Sequence, residues 1–376
     1  MEVADPLPEV QERRLVIAVD YGTTYTGVAL AVVAGNSARQ DDIIAIDSWG
    51  PGMANHEKIP SVISYSKAIG PEWGASVDKK SVAMVHTKLQ LEVSSPSEEL
   101  DLILQALEGM HDLDSDRIRD AGPLPAYTWK GPEAIVEDYL TRMLESLLRV
   151  ERGFSKQMRR HMPVDIVVTI PAGWSYRAKN SIFRALSQAG FNRKRFPKLR
   201  EMLLVSEPEA AAAYTARYFK ELDPEFDDEI DDEFDDEQFL RKDECFVLCD
   251  AGGGTVDTIS YQVKQLRPTF EITPVTKAIG YKCGSVFIDI AFKSWLREFV
   301  GEDNYLKLDP AQARDKITSF DREGERMREL MAAFNILKRK FEKGHQDMKM
   351  DFLTLPEPLH NLNLHNKVEG GQIIIT

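Results

Sequence analysis

The sequence predicts an α/β fold with covered sheet faces, and three observations carry that prediction. From Pro163 onward, β-branched runs alternate with helical stretches, strand then helix then strand then helix, the order of a sheet packed on its faces. Two distant segments around Asp20 and Asp250 repeat one hairpin design about a Gly-rich turn. The chain has 376 residues, more than one hydrophobic core usually serves, so two lobes are expected.

Leu15 to Val19 is a short apolar run ending in Asp20, followed by a Gly-Thr-Thr turn and a second apolar run, Gly27 to Val33, which reads as a hairpin. Residues 35–130 are mixed and turn-rich, with one helical stretch near Glu98–Met110. Pro132 opens a better helix that places Ile135, Tyr139, Met143 and Leu147 on one face. Val164–Ile170 reads as a buried strand ended by Pro171, and Ser175 caps a helix that closes at Gly190. Met202–Ser206 is the next strand, and Glu207-Pro208 turns into an alanine-rich helix over 209–219, with Pro208 at the first helical position. Cys245–Cys249 and Val256–Val263 form the second hairpin, Phe270–Thr276 a further strand, and 286–300 a helix. A long helix then aligns Met327, Leu330 or Met331, Phe334, Leu337 and Phe341, and Gln372–Ile375 is a final strand with nothing after it.

Hydrophobic residues make up 43% of the chain, as in an ordinary globular protein. The net charge of −14 argues against general nucleic-acid binding, where Lys and Arg must neutralise phosphates. No run has the uncharged apolar length of a membrane helix, and the N-terminal residues lack the apolar core of a secretion peptide. Cys245, Cys249 and Cys283 form no Cys-x-x-Cys pair. They fit small buried hydrophobes in a reducing compartment, so a cytoplasmic location is expected. Residues 221–237 hold twelve carboxylates and no base, which reads as a self-repelling solvated loop. Phe226, Ile230 and Phe234 recur every four residues inside it, leaving an amphipathic partner-binding segment as the second reading.

VIAVDYGTTYTGVAL and FVLCDAGGGTVDTIS share one plan: an apolar strand, a terminal Asp, a Gly-rich turn with Thr, and a returning strand. A turn stripped of side chains brings backbone N–H groups close to a phosphate. An Asp at each strand end suits a hydrated magnesium ion, which takes only one or two carboxylates plus phosphate oxygens. Other phosphate grips are absent: there is no Gly-x-x-x-x-Gly-Lys-Ser/Thr and no Gly-x-Gly-x-x-Gly before a helix. The segment 173–177, GWSYR, fails the nucleophile-elbow pattern, and His360 and His365 lack metal-ligand spacing.

Asp20-Tyr-Gly-Thr-Thr-Tyr-Thr-Gly27 and Asp250-Ala-Gly-Gly-Gly-Thr-Val-Asp257 resemble the two phosphate loops of the seventy-kilodalton heat-shock chaperones, the DnaK-like family. Val167-Val-Thr-Ile-Pro-Ala172 resembles that family's strand and Pro-Ala turn, and Ser206-Glu-Pro-Glu-Ala-Ala-Ala-Ala-Tyr214 its interlobe helix. The four motifs stand in the family's order, over roughly residues 15–345, with a texture, including Ile59-Pro-Ser-Val62, closer to divergent chaperone-like members. The resemblance implies an actin-like ATPase fold of two lobes, each a mixed sheet with flanking helices. Its divisions would be a tail at 1–14, lobe I at 15–220 with an insertion about 60–150, an acidic loop at 221–244, and lobe II at 245–376.

The resemblance also implies an ATP/ADP site. Asp20, Asp250 and Asp257 would hold magnesium, directly or through water. Gly22, Thr23, Thr24 and Tyr25 would meet the phosphates from one lobe, and Gly252, Gly253, Gly254 and Thr255 from the other. Glu207 would organise the metal and the attacking water, making it catalytic together with Asp20 and Asp250, and hydrolysis would rest on positioning and electrostatics. Lys88 stands for the family's γ-phosphate lysine, with a solvated surface lysine as the other reading. Gly284 falls where the family has a glycine pair, here followed by Ser285. Lys338 and Arg339 match nucleoside contacts or else a charged outer face, and Asn335 replaces the usual Glu. Expected partners beyond nucleotide are co-chaperones or client proteins.

The family's late Gly-Gly-Arg adenosine motif is not matched by Gly370-Gly371, which strand residues follow. Lobe II is therefore expected to be incomplete, with an open sheet edge. Three functions compete: a chaperone-like ATPase domain, a nucleotide sensor or scaffold without turnover, and an actin-fold small-molecule kinase. The last needs a catalytic Asp aimed at a hydroxyl, for which the sequence offers no clear residue.

Overall fold

A computed structural model describes residues 13–35, 42–50, 57–67, 69–78, 81–92, 130–150, 156–222, 240–266, 270–308, 322–340, 351–365 and 367–375. The helix expected near Glu98–Met110, most of the acidic run and Phe341 lie outside these residues. The chain divides into two compact units: Met1–Ile59, Leu140–Ala251 and Thr255–Tyr281 in one, and Pro60–Tyr139, Gly252–Gly254 and Lys282–Thr376 in the other.

The first unit holds two sheets. One joins β1 (Arg13–Tyr21), β2 (Tyr25–Ala34), β3 (Ile43–Ala45), β4 (Lys58–Pro60), β8 (Val164–Ile170) and β9 (Leu199–Ser206) in the order β3-β2-β1-β8-β9, with β4 on β2. β1 runs antiparallel to β2 but parallel to β8, and β8 parallel to β9, so this sheet is mixed. Its parallel strands need crossover connections, which helices supply. Leu15, Ile17, Val19 and Tyr21 alternate into the core, as do Val164, Ile166, Val168 and Ile170. β8 was expected to be buried throughout. Instead its other face, with Asp165, Val167 and Thr169, is half-buried.

The second sheet joins β10 (Cys245–Ala251), β11 (Val256–Gln265), β12 (Glu271–Pro274) and β13 (Ile279–Tyr281). Every pairing in it is antiparallel, where a mixed sheet was expected. β10 alternates exposed and half-buried residues, and Cys245, Cys249 and the later Cys283 are exposed. The expected burial of the thiols is thereby corrected: Cys245, Val247 and Cys249 share the outward face of a strand of period two.

Four helices serve this unit wholly or in part. α1 (Pro132–Val150) buries Ile135, Tyr139, Met143 and Leu147 on one stripe as expected. α2 is Lys156–His161. α3 (Tyr176–Ala189) is capped by Ser175, whose hydroxyl accepts from Ala178 N at 3.2 Å. It stops at Gly190, whose φ of 113° favours glycine. α4 (Glu207–Leu222) packs on strands of both sheets. It is longer than expected, and Pro208 is its second residue rather than its first. Ser206 and Glu209 form a reciprocal capping box: Glu209 Oε2 accepts from Ser206 N and Oγ, and Ser206 Oγ accepts from Glu209 N.

The second unit has a small sheet, β14 (Arg322–Glu323), β7 (Ala83–Met84), β5 (Ile63–Ser64) and β6 (Glu72–Trp73), in that order. Its core lies among α5 (Ser285–Val300), α6 (Glu302–Leu308), α7 (Glu325–Arg339) and a three-stranded sheet of β15 (Asp351–Thr354), β16 (Val368–Glu369) and β17 (Gln372–Ile375). Phe292 and Phe334 stack at 3.8 Å between α5 and α7. Met327, Leu330, Met331 and Phe334 are buried as their spacing predicts. β17 is the middle strand, paired with β15 on one side and β16 on the other. Gln372–Ile375, expected as a final strand, is thus paired on both sides. Gly370 and Gly371, with φ of 52° and 72°, make the tight turn that allows this pairing.

Candidate functional site

In the first unit the residues expected to carry chemistry gather at strand ends. Asp20 pairs directly with Gly27 across the β1–β2 ladder. Thr169 Oγ1 donates to Asp20 Oδ1 at 2.9 Å, and Lys58 Nζ donates to Asp20 Oδ2 at 3.0 Å. The turn that follows is closed by Gly22 N donating to Tyr25 O at 3.0 Å. A Cβ on Gly22 would stand 2.3 Å from that carbonyl, so only glycine fits. Thr23 is buried, Thr24 half-buried and Tyr25 exposed.

Asp250 and Asp257 face each other as direct partners in the β10–β11 ladder. Two like charges so placed repel unless something positive joins them. Asp257 is 1% exposed; Thr255 Oγ1 donates to its Oδ2 at 2.9 Å, while Oδ1 has no hydrogen-bond donor among the described residues. A buried carboxylate oxygen in that state is costly, and together with the facing Asp250 it fits a cation. Gly173, in the turn after β8, and Gly280, on β13, close around Asp257: a Cβ on either would lie 3.9 Å or 2.2 Å from Oδ1. Among the described residues no group of three or more His, Cys, Asp or Glu side chains could hold a metal ion, whereas magnesium bound to phosphate needs only one or two carboxylates.

In the second unit, the Gly252–Gly254 loop is held by the start of α5. Gly284 N donates to Gly254 O at 3.2 Å, Ser285 N to Gly252 O at 3.1 Å and Val286 N to Gly253 O at 2.9 Å. A Cβ on Gly284 would lie 2.5 Å and 2.6 Å from the Gly253 and Gly252 carbonyls, which explains that glycine. The trans peptide group points its C=O and its N–H in opposite directions. Carbonyls turned to α5 therefore turn the N–H groups of Gly253 and Gly254 away from it.

The remaining expected residues lie on other elements. Glu207 is half-buried at the start of α4. Lys88 lies on a 3-10 turn, Thr87–Leu91, at 4% exposure, so the surface-lysine reading does not hold. Lys338 Nζ binds Asp289 Oδ1 at 2.6 Å and Ser285 O at 3.3 Å, and Arg339 beside it is exposed. Burial pushes the Asp289 carboxyl up despite the Lys338 ammonium that pulls it down. Asn335 donates to Met331 O within its own helix. Lys58, Thr169, Gly173 and Gly280 were not singled out by sequence. Lys58 stands one residue before the Ile59-Pro-Ser-Val62 stretch, but nothing local marks its reach to Asp20.

No family model matches the chain. It is similar to human heat shock 70 kDa protein 12B, 23% identical over 352 residues, which cover 79% of this chain and 47% of that protein. It is also similar to mouse heat shock 70 kDa protein 12A, 25% identical over 340 residues, covering 80% of this chain and 48% of that one. The chain spans about half the length of these curated relatives. The matches support a distant relation to the heat-shock 70 group, with which the mixed α/β architecture is compatible. Among the described residues no helix is long and apolar enough to cross a membrane.

Proposed function

We propose that the chain is an ATP- or ADP-binding module of the actin-like ATPase type. The observation that carries this reading is the Gly252–Gly254 loop, whose carbonyls are tied to α5 so that successive N–H groups are turned the other way, toward an incoming phosphate. Within the first unit, the Gly22–Thr24 turn offers backbone and hydroxyl donors of its own. Asp250 and Asp257 would hold a divalent cation, which would neutralise phosphate charge when bound. Glu207 would orient a water for attack on the terminal phosphate, the positioning role on which phosphoryl transfer depends.

Binding without turnover is a second reading, favoured by Lys88, the residue that would meet the terminal phosphate, which is buried on the Thr87–Leu91 turn. On the first reading a chaperone role, with client proteins or co-chaperones as partners, would follow the hydrolytic cycle; on the second the module senses nucleotide. Calorimetric titration of the chain with Mg-ATP tests the common core. Saturable binding lost in Asp250→Asn supports it, and a folded chain that takes up no nucleotide refutes it. Phosphate release from the bound complex then separates turnover from sensing.

A further inference from the structure

We propose that Lys58 is a phosphate-binding residue of the first hairpin, taking the terminal phosphate of a polyphosphate ligand, and that it, rather than a metal ion, balances the charge of Asp20. The proposal rests on the reading above only for the nucleoside part of that ligand. Four neighbouring strands place one row of residues side by side: Lys58 on β4, Gly27 on β2, Asp20 on β1 and Thr169 on β8. The row lies where β1 and β8 run parallel and end, the edge at which open α/β sheets bind ligands.

The lysine passes over Gly27. A Cβ there would lie 3.6 Å from its Cγ and 3.7 Å from its Cε, in van der Waals contact with the stem. The stem thus crosses β2 and delivers the ammonium to Asp20, two residues before Gly22. Both Asp20 oxygens then have a donor, one from Thr169 and one from Lys58. A divalent ion bound directly to that carboxylate would meet the ammonium's repulsion at close range.

The side chains of Lys58 and Asp20 are 60% and 40% exposed, so the pair opens to solvent. Such pairs add little to folding, which leaves the glycine-floored path of Lys58 unexplained by stability. An ammonium has three donors and Asp20 uses one, leaving two for phosphate oxygens beside the turn. Lysine is a common point-charge phosphate binder. Lys88, by contrast, is buried and already engaged.

The test is calorimetric titration of the whole chain with inorganic tripolyphosphate and, separately, with Mg-ATP. The variants are Lys58→Gln, Lys58→Arg, Asp20→Asn and the Asp20→Asn/Lys58→Gln double. Lys58→Gln is expected to weaken tripolyphosphate by about tenfold or more, the worth of a charged hydrogen bond, with an unchanged thermal midpoint. Lys58→Arg should keep most of the affinity. In the Asp20→Asn background Lys58→Gln should still cost a similar factor, which shows a direct contact. Wild-type affinity in Lys58→Gln overturns the proposal, as does a double variant no weaker than Asp20→Asn, since Lys58 would then act only by screening Asp20. Lys58-dependent tripolyphosphate binding without ATP binding upholds the proposal and sinks the nucleotide reading. ATP binding indifferent to Lys58 does the reverse, and failure to bind either ligand removes both.

Discussion

Asp257 and Gly280 are in such close register that a Cβ at position 280 would stand 2.2 Å from Asp257 Oδ1. The carboxylate is buried and cannot swing into solvent. Gly280→Ala is therefore expected to cost about 1–3 kcal/mol, the usual range for overpacking. Urea denaturation reads this directly, and wild-type stability in Gly280→Ala would show that Asp257 relaxes at no cost.

Gly284→Ala should act on ligand binding more than on stability. Its Cβ would drive the Gly252 and Gly253 carbonyls off the start of α5 and scatter the N–H groups behind them. We expect nucleotide affinity to fall at least about tenfold, since several hydrogen bonds to a charged group are misdirected together. Titration at matched circular dichroism checks it.

Lys293 and Glu323 form a buried ion pair at 2.6 Å, with side chains 3% and 12% exposed. Burial alone would raise the Glu323 carboxyl; Lys293, with His86 and Arg328, more than offsets this and holds it below the ordinary carboxylate range. A folded value below the unfolded one means that stabilisation is fully present above the unfolded value. It is lost as pH falls through the folded one. Lys293→Met, which strands the carboxylate, should cost about 3–5 kcal/mol at neutral pH, and adding Glu323→Gln should recover part of it. Chemical denaturation of the two variants between neutral and acid pH measures both effects.

Ser206→Ala removes the hydroxyl that caps α4 and should destabilise the protein by about 0.5–2 kcal/mol. A thermal midpoint equal to that of wild type would mean that Glu209 holds the helix end alone.

The three thiols should react with a chromogenic disulfide reagent in the native protein, because Cys245, Cys249 and Cys283 are all exposed. Reaction only after denaturant would contradict the outward face of β10.

The local chemistry of the fold was legible in the sequence. β-branched runs and glycine turns marked both hairpins, Ser175 and Gly190 marked the ends of α3, and the spacing of Ile135, Tyr139, Met143 and Leu147 marked the buried face of α1. Each signal is carried by residues within a turn or two of one another, where steric and hydrogen-bonding preferences act without the rest of the chain. The burial of Lys88 and the exposure of the cysteines were not legible in this way, because burial depends on which elements cover a residue.

The sequence by itself determined the strand–turn–strand units and the presence of Asp20, Asp250 and Asp257 at their ends. Only the tertiary structure decided that Lys58, 38 residues from Asp20, is its ion-pair partner, and that Thr169, 149 residues away, holds its other oxygen. It likewise decided that Gly284 serves the carbonyls of Gly252 and Gly253 and that β17 lies between β15 and β16. These relationships follow from strand order, register and the packing of a helix start against a loop. They are set by the free energy of the whole arrangement and leave no periodic trace in the residues that take part.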